Sequence, residues 1–285
     1  MFVLLALASG LCAAPSALPS LSIVIPAYNE RTRLPSTLEV SLDYLATTDR
    51  SWEIIVVDDG SNDGTAAWTA AQRPEERRLR MLRSATNFGK GAALAAGARA
   101  ARGDRVLFMD ADGGTPLEAL PTLEALMDAG GGSCEVVVGS RRDNAPRPWP
   151  RQLMGVVFAA LTATCVSGVA DTQCGFKLLS RDAAAATMPH LHVTRWAYDV
   201  ELLFLAQRLG LGVGSCPVPS TDVAGSKIAW YTPAEMLLDV LRVSVLYRVG
   251  LWAMPPPPLV GGREAESGVG RAFVEIDRRR LVPDP

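Results

Sequence analysis

Aromatic residues are scarce in this 285-residue sequence, at 6%, and the formal net charge is only −2. Few aromatic rings leave no series of platforms for nucleobases to stack on. A near-neutral balance leaves no basic footprint for a phosphate backbone. No nucleic acid is therefore expected among its partners. Histidine is scarcer still: His190 and His192 are the two in the chain, too few for a metal centre, and they read as loop or surface residues. The five cysteines, Cys12, Cys134, Cys165, Cys174 and Cys216, are scattered, with no CxxC pair and no zinc spacing, so buried reduced thiols are expected. The sequence also lacks a GxxxxGK[ST] phosphate loop, a GxGxxG opening a helix after the first strand, and a GxSxG elbow. Phosphate-loop NTPases, dinucleotide dehydrogenases and nucleophile-elbow hydrolases are poor fits on that count.

What is present is a large apolar fraction, 48% hydrophobic against 20% charged, enough for a sizeable core in one large domain or two small ones. From Leu21 the pattern is regular. "LSIVIPAYNE" is a short strand stopped by Pro26, and "RLPSTLEVSLDYLA" places Leu34, Leu38, Leu42 and Leu45 on one helical face. "WEIIVVDDGSNDGT", "RLRMLRS", "RVLFMDAD" and "CEVVVGSRR" read as further strands. Between them lie "GTAAWTAAQ", "NFGKGAALAAGARAARG" (capped by Asn87, stopped by Gly103) and "TPLEALPTLEALMDAGGG", opened by Pro116, as helices. Alternation of this kind predicts an α/β fold with a mostly parallel central sheet covered by helices on both faces. Ligands of such sheets bind beyond the carboxyl ends of the strands. Asn29, Glu30, Asp58, Asp59, Asp110, Asp112, Ser140 and Arg141 all follow strand ends and should converge on one rim.

That rim is rich in carboxylates. In an extended segment residues two apart point the same way, so Asp110 and Asp112 can face one ion or its waters. Hard oxygen ligands suit Mg2+ or Mn2+, which share a few carboxylates with substrate phosphates. Arg141, Arg142, Arg147 and Arg151 cluster after the fifth strand, with Arg195 and Lys227 further on; guanidinium groups suit phosphates. Lys90 lies between two glycines near a helix N-terminus, a place suited to an anion.

The ends of the chain differ in character. Residues 1–20 form an apolar N-terminal segment in which "MFVLLALASGLCAAPSA" is signal-like yet falls short of the roughly 20 apolar residues of a spanning helix; a cleaved signal, a short or misannotated membrane anchor, or a buried helix are the readings it leaves open. Residues 153–170 carry no charge and read either as a membrane segment or as a core helix. Ala234–Trp252 reads as an interfacial helix. From Pro255 a proline run and a charged tail begin, expected to be poorly ordered. The organisation expected is thus 1–20, a domain over 21–252 with membrane-interface helices near its end, and a tail over 253–285.

The stretches "IVIPAYNE", "VVDDGSNDGT", "NFGKGAALAAG" and "MDADG" resemble the nucleotide-sugar half of inverting glycosyltransferases of the GT-A fold. "GSRR", "DTQCGFKLLSRDAA", "RWAYDVELL" and "GSKI" look more specifically like the dolichyl-phosphate β-glucosyltransferase family. Two segments depart from that family's pattern: "STDVAGSK" lacks a tryptophan, and "GGTP" follows the Asp-Ala-Asp triplet. The resemblance implies UDP-glucose as donor, dolichyl phosphate as acceptor, Mg2+ or Mn2+ as cofactor, and a role in protein N-glycosylation at the endoplasmic reticulum membrane, with the catalytic domain facing the cytosol. It implies that Pro26, Ala27, Tyr28, Glu30 and Asp59 line the uridine pocket and that Lys90 lies near the donor. Asp110 and Asp112 become the metal motif, with Asp110 also near the ribose. Arg141 and Arg151 face a phosphate, Arg195 and Trp196 the diphosphate, and Asp171 and Gln173 the sugar; Lys227 falls in the "GSKI" element. Asp171, Arg141 and Arg195 are the catalytic candidates, Asp171 as a sugar-orienting residue or weak base. A polyprenyl-phosphate mannosyltransferase using GDP-mannose, or a non-catalytic nucleotide-sugar-binding protein, are the alternatives.

Overall fold

The computed structural model describes residues 18–73, 75–141, 158–169, 171–221, 223, 232–256 and 272–276. Arg142, Arg147, Arg151, Lys227 and the N-terminal apolar segment through residue 17 lie outside the described residues. The strands are β1 (Leu21–Ala27), β2 (Trp52–Asp58), β3 (Leu79–Ser84), β4 (Arg105–Phe108), β5 (Cys134–Arg141), β6 (Lys177–Ser180), β7 (Gly212–Val218) and β8 (Phe273–Glu275). They form one sheet in the order β7-β5-β6-β4-β1-β2-β3-β8. Neighbours pair in parallel except around β6, which is antiparallel to β4 and β5, and at β8, which is antiparallel to β3. The helices are α1 (Leu34–Ala46), α2 (Thr65–Ala71), α3 (Lys90–Ala100), α4 (Leu120–Ala129), α5 (Arg181–Thr187), α6 (Tyr198–Arg208) and α7 (Thr232–Leu246).

The sheet's centre explains why its strands are apolar without alternation. Ile23, Val24, Ile25 and all of Ile54–Val57 are fully buried, as required of strands covered on both faces. The leucines of α1 named from their spacing, Leu34, Leu38, Leu42 and Leu45, are its buried face.

Several elements depart from the sequence pattern, each for a local reason. Pro26 does not stop β1; it pairs in register with Val57. Ala27 accepts from the Asp59 amide on the β2 side, so by strand alternation Pro26 faces the β4 side. Pairing there has ended at Val24–Phe108, and its missing N–H is not needed. Strand β4 is shorter than "RVLFMDAD", so Asp110 and Asp112 lie on the turn beyond it rather than on extended chain. Asn87 does not cap α3: Gly89 does, with φ 104° and no side-chain cap. The tail expected to be poorly ordered supplies β8, held by Glu275 on Arg80 (2.7 and 3.0 Å) and by Phe273 against Phe88 (6.0 Å between centroids).

Among the described residues no helix is long and apolar enough to cross a membrane. Of the 153–170 segment, residues 153–157 and 170 lie outside the described residues; residues 158–162 are helical, and the turn after them packs on α7 through Cys165 and Thr164.

Candidate active site

Beyond the carboxyl ends of β1, β2 and β4 lies a cavity of about 880 Å³. Pro26, Ala27, Tyr28 and Glu30 line it from the end of β1, Asp59 from β2, and Asp110 and Asp112 from the turn after β4. Gln173 and Gly175 approach from the segment before β6, Arg141 from the end of β5, and Arg195 and Trp196 from the loop before α6. Thr232, Glu235 and Met236, on the first turn of α7, close the far side.

Each rim carboxylate has a distinct environment. Asp110 Oδ1 lies 2.6 Å from Lys90 Nζ. Burial pushes the Asp110 carboxyl up, but Lys90, with Lys177 and Arg141 behind it, brings it below the usual range. Its carboxylate is pressed on the backbone of Gly175, where a Cβ would stand 2.1 Å from Oδ2; any side chain there would displace the acid. Asp112 Oδ1 accepts from the Gly114 amide at 3.0 Å, and its Oδ2 has a looser partner, Arg33 at 3.7 Å. Gly114 O in turn accepts from the Thr221 amide at 2.8 Å, which fixes that turn from outside.

This donor set fits a divalent cation of the Mg2+ or Mn2+ type. It offers two carboxylates, both oxygen donors, and among the described residues no cluster of three metal-binding side chains forms a complete cage. Such ions keep waters and take further oxygens from a phosphate ligand. Asp112, with the more weakly held oxygen, is the better placed of the two.

Asp59 works differently. Both of its oxygens are taken by the next loop, Oδ1 by the Phe88 amide at 2.8 Å and Oδ2 by the Gly89 amide at 2.7 Å. Burial pushes its carboxyl up to about 6, against the pull of those two amides and of Arg195. Its neighbour Asp58 is fully buried, salt-bridged to Arg83 at 3.3 Å, and does not line the cavity. Of that acidic pair only Asp59 reaches the cavity.

The N-terminus of α3 is not an anion site. The Gly91 and Ala92 amides donate to the carbonyls of Arg195 and Thr194, at 3.3 and 3.0 Å. Gly89 is needed for this approach, since a Cβ on it would sit 2.6 Å from Thr194 O. Lys90 does reach the cavity, through its side chain.

Asp171 is held bidentately by Arg141, at 2.8 and 2.9 Å, and also accepts from the Arg141 amide at 3.2 Å. Burial would raise its carboxyl, but Arg141 outweighs burial and keeps it low. Arg141 lines the cavity and Asp171 stands behind it, so the pair acts as a fixed cation with its counter-ion.

Three functional residues escaped the sequence pattern. Arg33 clamps Glu30 through two bonds, 2.7 and 2.5 Å, and faces Asp112; its signal was the i, i+3 spacing from Glu30. Lys177, fully buried, donates to Asp199 and to the carbonyl of Cys174, joining the segments "DTQCGFKLL" and "RWAYDVELL". Glu201, also fully buried, accepts from the loop that carries Arg195.

Residues 22–187 match the family described as glycosyl transferase family 2. Dolichyl-phosphate beta-glucosyltransferase ALG5A of Trichomonas vaginalis is 36% identical over 244 residues, covering 81% of this chain and 75% of that one. The dolichyl-phosphate beta-glucosyltransferase of Mus musculus is 37% identical over 251 residues, covering 82% and 78%. Among solved structures, glucosyl-3-phosphoglycerate synthase from Mycobacterium tuberculosis, in complex with Mn2+, UDP-glucose and phosphoglyceric acid, superposes with a TM-score of 0.57 at 22% identity, covering 81% of this chain and 80% of that chain. That likeness bears on the fold, which is the α/β glycosyltransferase fold expected.

Proposed function

The chain belongs to glycosyl transferase family 2, and on that premise we propose that it transfers glucose from UDP-glucose to dolichyl phosphate with inversion, giving dolichyl β-D-glucosyl phosphate for protein N-glycosylation. The observation that carries this reading is one cavity where Asp110 and Asp112 face the cations Arg33, Lys90, Arg141 and Arg195. Such a cavity is suited to bringing two anions together. The relatives' names supply the lipid acceptor and the sugar, and the Mycobacterium tuberculosis enzyme's ligands support UDP-glucose and a divalent cation.

In the proposed reaction a phosphate oxygen of the acceptor forms a bond to the anomeric carbon. The bond from that carbon to the UDP oxygen breaks on the opposite face, and UDP leaves with the electron pair. The acceptor is already ionised near neutral pH, so no strong general base is required. Asp171, held low by Arg141, is accordingly a counter-ion rather than a base. The barrier lies in charge: two anions must meet and a third must depart. Arg195 and Lys90 reduce it by neutralising charge in a fixed geometry. Asp110 and Asp112 would hold Mg2+ or Mn2+, which supplies further neutralisation of the diphosphate.

The acceptor's lipid chain needs an apolar surface. Leu238, Leu241, Val245, Val249 and Leu251 are exposed along α7 and the turn after it, and the first turn of α7 lines the cavity. This favours docking on a membrane surface, and the reading extends to the endoplasmic reticulum membrane with the cavity facing the cytosol, where the relatives' lipid substrate and a nucleotide sugar would meet. The deciding assay offers labelled UDP-glucose, UDP-galactose and GDP-mannose with dolichyl phosphate. A β-linked glucosyl lipid from UDP-glucose is expected; transfer from GDP-mannose alone would overturn the proposal.

A further inference from the structure

We infer that Glu201 is a positioning residue that fixes the Arg195–Trp196 wall of the cavity. The inference rests on the donor reading above, because its readout is UDP.

Glu201 lies in the first turn of α6 and is fully buried. A buried carboxylate is costly unless several donors satisfy it, and helix packing alone has no use for one. Its donors come from two places. The first is the loop just before the cavity wall: the His192 amide reaches both oxygens, at 3.0 and 2.9 Å, and the Val193 amide reaches Oε2 at 2.6 Å. The second is Tyr247, beyond the end of α7, whose hydroxyl donates to Oε1 at 2.7 Å. The His192 ring stands 3.0 Å from the same oxygen through Nδ1 and lies flat under Trp252, 4.3 Å between centroids and 6° between planes.

The same loop is fastened again two residues on. Thr194 and Arg195 turn their carbonyls to the Ala92 and Gly91 amides of α3. With 192–193 held by Glu201 and 194–195 held by α3, the chain has little freedom left, and the side chains of Arg195 and Trp196 are presented to the cavity. Glu201 touches no part of the cavity itself; it acts through the loop. Tyr247 and Trp252 make the α7 end of the molecule part of the same clamp.

Glu201→Gln keeps the volume but replaces one acceptor with an NH2 group facing amide donors. Tyr247→Phe removes one donor and leaves the carboxylate and the packing. UDP affinity by calorimetry, KM for the nucleotide sugar against kcat, and the urea midpoint would be measured for both, alone and combined with the double variant Arg195→Ala, Trp196→Ala. Glu201→Gln is expected to weaken UDP about tenfold and raise the sugar-nucleotide KM by a similar factor with a smaller change in kcat, and Tyr247→Phe to weaken UDP about two- to threefold. Combined with Arg195→Ala and Trp196→Ala, neither is expected to weaken UDP beyond that double variant alone, because residues acting through the same groups are not additive. A Glu201→Gln protein that binds UDP like the wild type, or effects that add to those of the Arg195→Ala, Trp196→Ala variant, would overturn the inference. If Glu201→Gln does not fold, the Tyr247→Phe cycle decides by the same criterion. A wild-type protein that binds no UDP overturns the donor reading and this inference together. Wild-type binding with unchanged variants overturns this inference alone.

Discussion

At the scale of single residues, the site is built from carboxylates that do unlike work. Asp59 is a clamp on a loop, and its raised pKa gives it a signature in stability. Its ordinary carboxylate value is 3.8 and its folded value is about 6, so between those values the folded protein holds a proton that the unfolded chain has released. Stability from this group therefore falls as pH rises through that window, by about 3 kcal/mol, and is flat above it. Urea midpoints at pH 4.5 and pH 7 should show this decline in the wild type and lose it in Asp59→Asn. Arg33 offers a second test. It neutralises Asp112 at 3.7 Å, so an incoming cation competes with it. Arg33→Ala should strengthen Mn2+ binding in the absence of UDP about fivefold, near the ~1 kcal/mol such a partly exposed pair is worth. Asp112→Ala should abolish Mn2+ binding with or without UDP, as read by electron paramagnetic resonance.

At the scale of elements, the two stretches "DTQCGFKLLSRDAA" and "RWAYDVELL" belong together because of one buried ion pair. Lys177 opens β6 and Asp199 lies in the first turn of α6, and both are shut away from solvent. Removing one partner of such a pair strands the other's charge, which costs about 3–5 kcal/mol. Lys177→Met should lower the unfolding free energy, read from urea titration, by that amount, and Lys177→Met with Asp199→Leu should restore much of it. This is also where the sequence was least legible. The parallel strands β1 to β5 announce themselves by apolar runs, and the rim residues follow from where those runs end. Strand β6 does not: "KLLS" is four residues long, shorter than any periodic signal, and its antiparallel seat between β4 and β5 is decided by packing. The loop hold by Glu201 was equally hidden, since a carboxylate reads as a surface residue until donors such as the Tyr247 hydroxyl arrive from elsewhere in the chain. Asp110, Asp112 and Lys90 were legible because each sits at the end of an element the pattern defines; Arg195 and Trp196 came from the resemblance of "RWAYDVELL", since the helix after them, Tyr198–Arg208, was not read from the pattern.

At the scale of the whole molecule, the proposed membrane contact predicts a separation of functions. Leu238, Leu241 and Val245 recur at three- and four-residue spacing on the outer side of α7, with Val249 exposed on the turn after it, while Val240 and Val243 are buried on the inner side and Tyr247 is buried just beyond its end. Leu241→Glu with Val245→Glu should weaken co-sedimentation with phospholipid vesicles at least tenfold, about 1.4 kcal/mol. UDP binding, read by calorimetry, should stay unchanged, because these side chains lie away from the cavity lining.

The outermost strand of the sheet carries one more consequence. Strand β8 arrives on β3 from far along the chain; Arg80 and Glu275, which join them, are 195 residues apart. During synthesis β3 is made well before β8, and its edge stays bare until the 195 residues that separate Arg80 from Glu275 have emerged. An open strand edge is a template for other chains, and contacts this distant in sequence form slowly. The β3 edge is thus open to mispairing in a partly made copy of this protein, and a chaperone that shields the nascent chain would be of use there until β8 arrives.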